Sequence, residues 1–199
     1  MKRYAMLVLF IAFNLSNLAA EDKTDSIQLD TPKNWTGETI KLPPPFAPKM
    51  KLKGTEVIRF APGMFDAKSD SFFSYAFVFE VDSEPELTRE IVQQELLVYY
   101  RGLSSAVLKS RGKTVDTSKF TMMLKKQDGE PSKPTRYEGN LEWVEPFSTQ
   151  QTQTLRFEVV TRVRPDSNLI FVCVSPQEST AKIWTELRSL RGKFYKSIE

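Results

Sequence analysis

The chain has 199 residues, with 28 basic and 25 acidic side chains, one cysteine and no histidine. That length suits one ordinary domain with a sizeable core. The missing histidine excludes Ser-His-Asp catalysis, His-ligated zinc, HExxH chemistry and haem-His ligation, and a single cysteine excludes any disulfide within the chain.

The N-terminus opens on Met1-Lys2-Arg3-Tyr4, continues with an apolar run from Ala5 to Phe13, and ends on the small residues before Glu21. A positive start, a short apolar run and a small-residue end predict a secretory signal peptide over 1–20, cut after Ala20. The run is too short to span a bilayer. Membrane contact is therefore expected only through the signal before cleavage, and the mature protein is expected to be secreted or periplasmic. Removing Lys2 and Arg3 from 28 basic residues leaves 26 against 25 acidic ones, close to neutral. No lysine-arginine cluster lies on one face, so nucleic-acid binding has no support.

Residues 21–54 read as an extended, polar, proline-rich strap. Asn34-Trp35-Thr36 has the form of a glycosylation sequon, which acts only in a eukaryotic secretory route. Pro43-Pro44-Pro45 forces polyproline geometry. The segment is either a ligand for a proline-recognising partner or a stiff strap docking Trp35, Leu42 and Phe46.

Residues 55–199 read as a single α+β domain. Thr55–Phe60 is a short strand, and Pro62-Gly63 suits a type II turn. Phe72–Val81 alternates Phe73, Tyr75, Phe77, Phe79 and Val81 with smaller residues, so a helix could lie close on the small face. From Glu84 to Arg111, Val92, Leu96, Tyr99, Leu103 and Val107 recur at helical spacing. Ser83 is the candidate cap, with Pro85 in the first turn and Gly112 just past the end. Lys119–Lys126 is a short strand and Gln127–Pro134 a loop. Arg136–Val144, Thr152–Arg164 and Leu169–Ser175 form an antiparallel meander. The third strand is apolar on both faces and belongs in the centre of the sheet. Ser179 or Thr180 caps a last helix, to about 194, with Ile183, Leu187, Leu190 and Phe194 inward. Strands in runs with helices set apart predict a mostly antiparallel sheet of about five to six strands, covered by a long helix (about 84–111) and a C-terminal helix (about 179–194).

Three places can carry function. Glu138 and Glu142 share a strand face with Asn140 between them, and Glu158, Arg156 and Arg162 stand on the matching face of the next strand. They are either a carboxylate pair of the glycosidase kind or a solvated face of cross-strand charge pairs. Met64, Phe65 and Phe72 border the polar loop Asp66–Ser71, and either line a pocket for an apolar or sugar-ring ligand or belong to the core. Cys173 is either a nucleophile or a small buried hydrophobe; no histidine exists to activate it. Gly-rich phosphate loops, Ser-x-x-Lys, Gly-x-Ser-x-Gly and EF-hand spacing are absent, so no metal or cofactor is expected.

The segments Tyr137–Phe147, Phe171–Gln177 and Trp184–Arg188, with Trp35–Glu38 and Arg59–Phe65, resemble a family of uncharacterised secreted bacterial proteins. That resemblance covers most of the mature chain and implies no known activity. The closing meander and helix are similar in layout to the PsbP-like α/β sandwich, which implies a non-enzymatic binding or assembly role. The function expected is a non-catalytic extracytoplasmic module that binds an unknown small ligand or protein. The alternative is a hydrolase using Glu138, Glu142 and Glu158.

Overall fold

Period-two alternation and two amphipathic helical stripes produce a sheet with a helix on each face. The computed structural model describes residues 27–129 and 134–198. The predicted signal peptide and its cleavage point lie outside the described residues, as does most of the tip of the 127–134 loop. Seven strands are present: β1 (Thr36–Leu42), β2 (Gly54–Phe60), β3 (Tyr75–Val81), β4 (Thr121–Lys126), β5 (Thr135–Val144), β6 (Thr152–Val163) and β7 (Asn168–Ser175). They form one sheet in the order β1-β2-β3-β7-β6-β5-β4. Every neighbouring pair is antiparallel. Helix α1 spans Arg89–Ser110 and α2 spans Lys182–Ser197.

The α+β class and the antiparallel sheet agree with expectation; the sheet is one strand wider. The added strand is β1, inside the segment read as a strap. Its side chains are nearly all exposed, so no apolar alternation marks it. Main-chain pairing with β2 makes it a strand. The strap proper is the β1–β2 connection over residues 43–53.

Strand β7 is central and buried at every position, as its two apolar faces require. Tyr75, Phe77, Phe79 and Val81 point into the cluster under α1, and Ala76 and Val78 into the cluster under α2. The small face does receive a helix, and that helix is α2. It brings Ile183, Trp184, Leu187, Leu190 and Phe194 onto β3 and β7.

Both helix starts differ from expectation. Helix α1 begins at Arg89, because the Thr88 side chain accepts from Ile91 N and caps it. Pro85 and its neighbours precede the helix. Ala181 stands at the N-cap of α2 without a side-chain bond; Ser179 and Thr180 come too early. On α1, Val92, Leu96, Tyr99 and Val107 are buried as expected, with Leu103 half-buried. Tyr100 and Leu108 are buried too, widening the stripe.

The strap lies against α1. Glu95 Oε2 accepts from Lys51 N at 2.7 Å and Leu52 N at 3.0 Å. Phe46 packs edge-on against Tyr99, with ring centroids 4.9 Å apart. Gly102 permits this approach: a Cβ there would stand 2.3 Å from Phe46 O. Leu42 is buried with the strap, whereas Trp35 docks on the opposite face of the sheet.

Candidate functional site

The two helices do not cover the sheet symmetrically. Helix α1 lies nearest β4 and β5 on one face. On the other face α2 covers β3 and β7, and the segment Ile27–Trp35 fills in beside it. The α2 side of β4, β5 and the first half of β6 therefore stays open, whereas farther along β6 Arg188 and Arg191 reach Glu158 and Tyr195 reaches Val160 O; the strand register fixes what the open part displays.

Three cross-strand rows stand on this open face. Thr121, Glu142 and Thr154 form the first, Met123, Asn140 and Arg156 the second, and Lys125, Glu138 and Glu158 the third. Rows are about 7 Å apart and strands about 4.8 Å apart, as sheet geometry requires. Trp184 and Arg188 of α2 form the wall beside the last two rows, enclosing a shallow groove of about 450 Å³.

The three glutamates of the sequence reading thus share one face, in different settings. Glu138 and Glu158 are direct register partners. Such partners have Cα atoms about 5 Å apart. Glu142 lies four residues along β5, about 13 Å from Glu138 at the backbone. Arg188 donates from Nε and Nη2 to Glu158 Oε1 at 2.8 and 2.6 Å, and Arg191 Nη1 donates to Oε2 at 2.8 Å. Burial works to raise the Glu158 pKa, but the bonds from Arg188 and Arg191 outweigh it and hold the carboxyl below its ordinary range. Glu158 is therefore a fixed anion whose oxygens are committed. Glu138 and Glu142 are exposed, and among the described residues neither is ion-paired.

The arginines are held in place too. Arg156 donates to Pro176 O at 2.9 Å and pairs with Glu178. The Arg188 guanidinium carbon lies 5.5 Å from the Trp184 ring centroid. Lys125 faces Glu138 across the β4–β5 ladder, an opposite-charge pair in direct register.

The aromatic candidates divide. Met64 and Phe72 are buried in the core under α1. Phe65 is 55% exposed. It leans on Phe147, with centroids 5.4 Å apart, and its carbonyl accepts from Ser148 Oγ at 2.6 Å. The structure does not bring these three residues to one surface pocket. Cys173 is fully buried beneath α2, its sulfur 3.6 Å from Leu187 O. Burial pushes its thiol up to about 12, which suits the hydrophobe reading. Among the described residues no group of three acidic or cysteine side chains could hold a metal ion.

Trp184 and Arg188, the wall of the groove, are not among the residues expected from the sequence to carry function. Their signal was present: both lie on α2 near its inner stripe, but nothing local says which strands α2 covers.

Comparisons with protein-family models, with curated proteins and with solved structures returned no match.

Proposed function

We propose that the protein is a non-catalytic extracytoplasmic binding or interaction module, and that the open face of β4, β5 and β6 is its recognition surface. One observation carries this reading: α2 stops short of β4, β5 and the first half of β6, leaving cations and anions in register beside a groove. Arg156, Glu158 and Arg188 are held by hydrogen bonds and ion pairs, so little order is lost at those three side chains when a polar partner docks.

The surface recognises through side chains rather than by adding a strand. The outer edge of β4 is blunted by α1: Leu124 N donates to Gln93 Oε1 at 2.8 Å, and Phe120 O accepts from Arg101 at 3.1 Å. Hydrolysis using Glu138, Glu142 and Glu158 fits less well. A glycosidase pair needs carboxyl groups about 5–10 Å apart with one available as a base. Of these three, Glu138 and Glu158 are the close pair, and two arginines occupy Glu158.

Native mass spectrometry of the protein purified from its source tests the proposal, with the charge swap Lys125→Glu/Glu138→Lys beside wild type. A ligand or protein retained by wild type and lost by the folded swap variant supports it. Retention by both assigns recognition elsewhere, and retention by neither removes the binder reading. Equal activity of wild type and Glu142→Gln against glycoside substrates removes the hydrolase reading. N-terminal sequencing of the exported protein tests the signal peptide; Glu21 is the expected first residue.

A further inference from the structure

The two edges of the sheet are finished differently. Helix α1 blunts β4, whereas β1, at the other end, is uncovered: Thr36, Gly37, Glu38, Thr39 and Lys41 are exposed and Ile40 is half-buried. Its register with β2 runs without a break from Thr36 opposite Phe60 to Leu42 opposite Gly54, so no bulge turns the edge away.

The ladders fix which main-chain groups of β1 face outward. Ala61 N donates to Ser74 O and Asp82 N to Lys53 O, and both bonds continue the β2–β3 register. Odd-numbered residues of β2 therefore bond to β3, and Phe60, Ile58, buried Glu56 and Gly54 bond to β1. Their partners Thr36, Glu38, Ile40 and Leu42 bond inward. Gly37, Thr39 and Lys41 are left with their N–H and C=O groups pointing away from the sheet, and among the described residues none of these groups has a backbone partner. The outward run is bounded at both ends: Trp35 N donates to Pro32 O, and Pro43 has no N–H.

We propose that β1 is a dimerisation edge, on which a second copy of the chain lays its own β1 antiparallel about a twofold axis at Thr39. Three outward residues centred on Thr39 match themselves. Thr39 meets the partner's Thr39, and Gly37 meets the partner's Lys41, so every outward group of both copies is paired. Moving the axis to Glu38 sets two carboxylates face to face. Moving it to Ile40 sets Gly37 opposite the partner's Pro43, which cannot donate.

The side chains agree with the Thr39 axis. Two threonines form a favourable cross-strand pair, and Lys41 lies opposite a glycine that has no side chain to collide with it. Arg59 passes over Gly37, but its guanidinium is turned to Ile58 O and Leu29 O. The two Glu38 residues stand diagonally, about 7–8 Å apart, which weakens the pairing somewhat. A contact of one strand on one strand is narrow, so a dissociation constant of about 1 μM–1 mM is expected. The open face beside α2 lies toward the opposite end of the sheet and stays free.

Sedimentation equilibrium of the exported protein over a concentration series tests this, with twice the monomer mass expected at the high end. Thr39→Pro removes an outward N–H and leaves the inward bonds of β1 in place. It is expected to fold and to raise the dissociation constant by at least about tenfold. Amide hydrogen exchange of the wild type reads the edge itself: Gly37, Thr39 and Lys41 gain protection with concentration, while Glu38 and Ile40 are protected throughout. A protein that stays monomeric up to about 1 mM overturns the proposal. So does a dimer that persists unchanged in folded Thr39→Pro, or one in which those three amides exchange freely. If Thr39→Pro does not fold, the concentration dependence of the three wild-type amides decides alone.

Discussion

Glu158 stands directly across the β5–β6 ladder from Glu138, and its carboxylate is bound by Arg188 and Arg191 of α2. Two like charges in register would repel. The arginines remove that repulsion and tie the middle turns of α2 to β6. Together with the apolar stripe of α2 on β3 and β7, they set where the open face begins.

Breaking this tie is expected to loosen α2. Glu158→Gln removes the anion and leaves Arg188 and Arg191 facing each other. The expected cost is about 1–3 kcal/mol in urea unfolding, because the bonds are charge-assisted but partly solvated. Glu138→Gln, which has no such partners, is expected to change stability by less than about 0.5 kcal/mol.

The same pair sets the acid limb of stability. The Glu158 pKa lies below its ordinary range in the folded protein, so its contribution is present above the unfolded value and is lost as pH falls through the folded one. Melting temperature is expected to drop below about pH 4.5 in wild type and to drop less steeply in Glu158→Gln. Parallel acid limbs would remove this role.

Gly102 is a case in which two known effects have opposite signs. Glycine to alanine within a helix ordinarily stabilises by about 1 kcal/mol. Here the new methyl would meet Phe46 O at 2.3 Å and Ala47 Cα at 2.9 Å. Gly102→Ala is expected to lower stability, and proteolysis at Lys49, Lys51 and Lys53 should quicken as the strap lifts. A rise in melting temperature would show that the strap yields without cost.

Cys173 is expected to resist thiol reagents in the native state. Its burial leaves no accessible thiolate. Labelling with a chromogenic disulfide should follow the unfolding rate rather than reagent concentration. Rapid stoichiometric labelling of folded protein would restore the nucleophile reading.

Much of the fold is legible in the residues. The α1 and α2 stripes, the twofold alternation of β3 and β5, and the two apolar faces of β7 each state which side meets the core. β1 is not legible, because its exposed side chains alternate in nothing and its partner is a backbone. Nor are the starts of α1 and α2, where several capping residues compete and packing chooses. The site was legible as a set of polar positions on β5 and β6. Its boundary was not, since the wall formed by Trp184 and Arg188 depends on which strands α2 covers. Buried Glu56 gives no sequence signal at all: on β2 it reads as one more solvated charge.

Carboxyl and amine footprinting of the protein in extract from its source, set against the purified protein, tests the recognition surface most directly. Lys125, Glu138 and Glu142 are expected to be protected in the extract while carboxyls away from the open face, such as Asp66 and Asp70, label equally in both. Equal labelling of all three residues in the two samples, or protection confined to the Phe65 loop, would contradict that expectation.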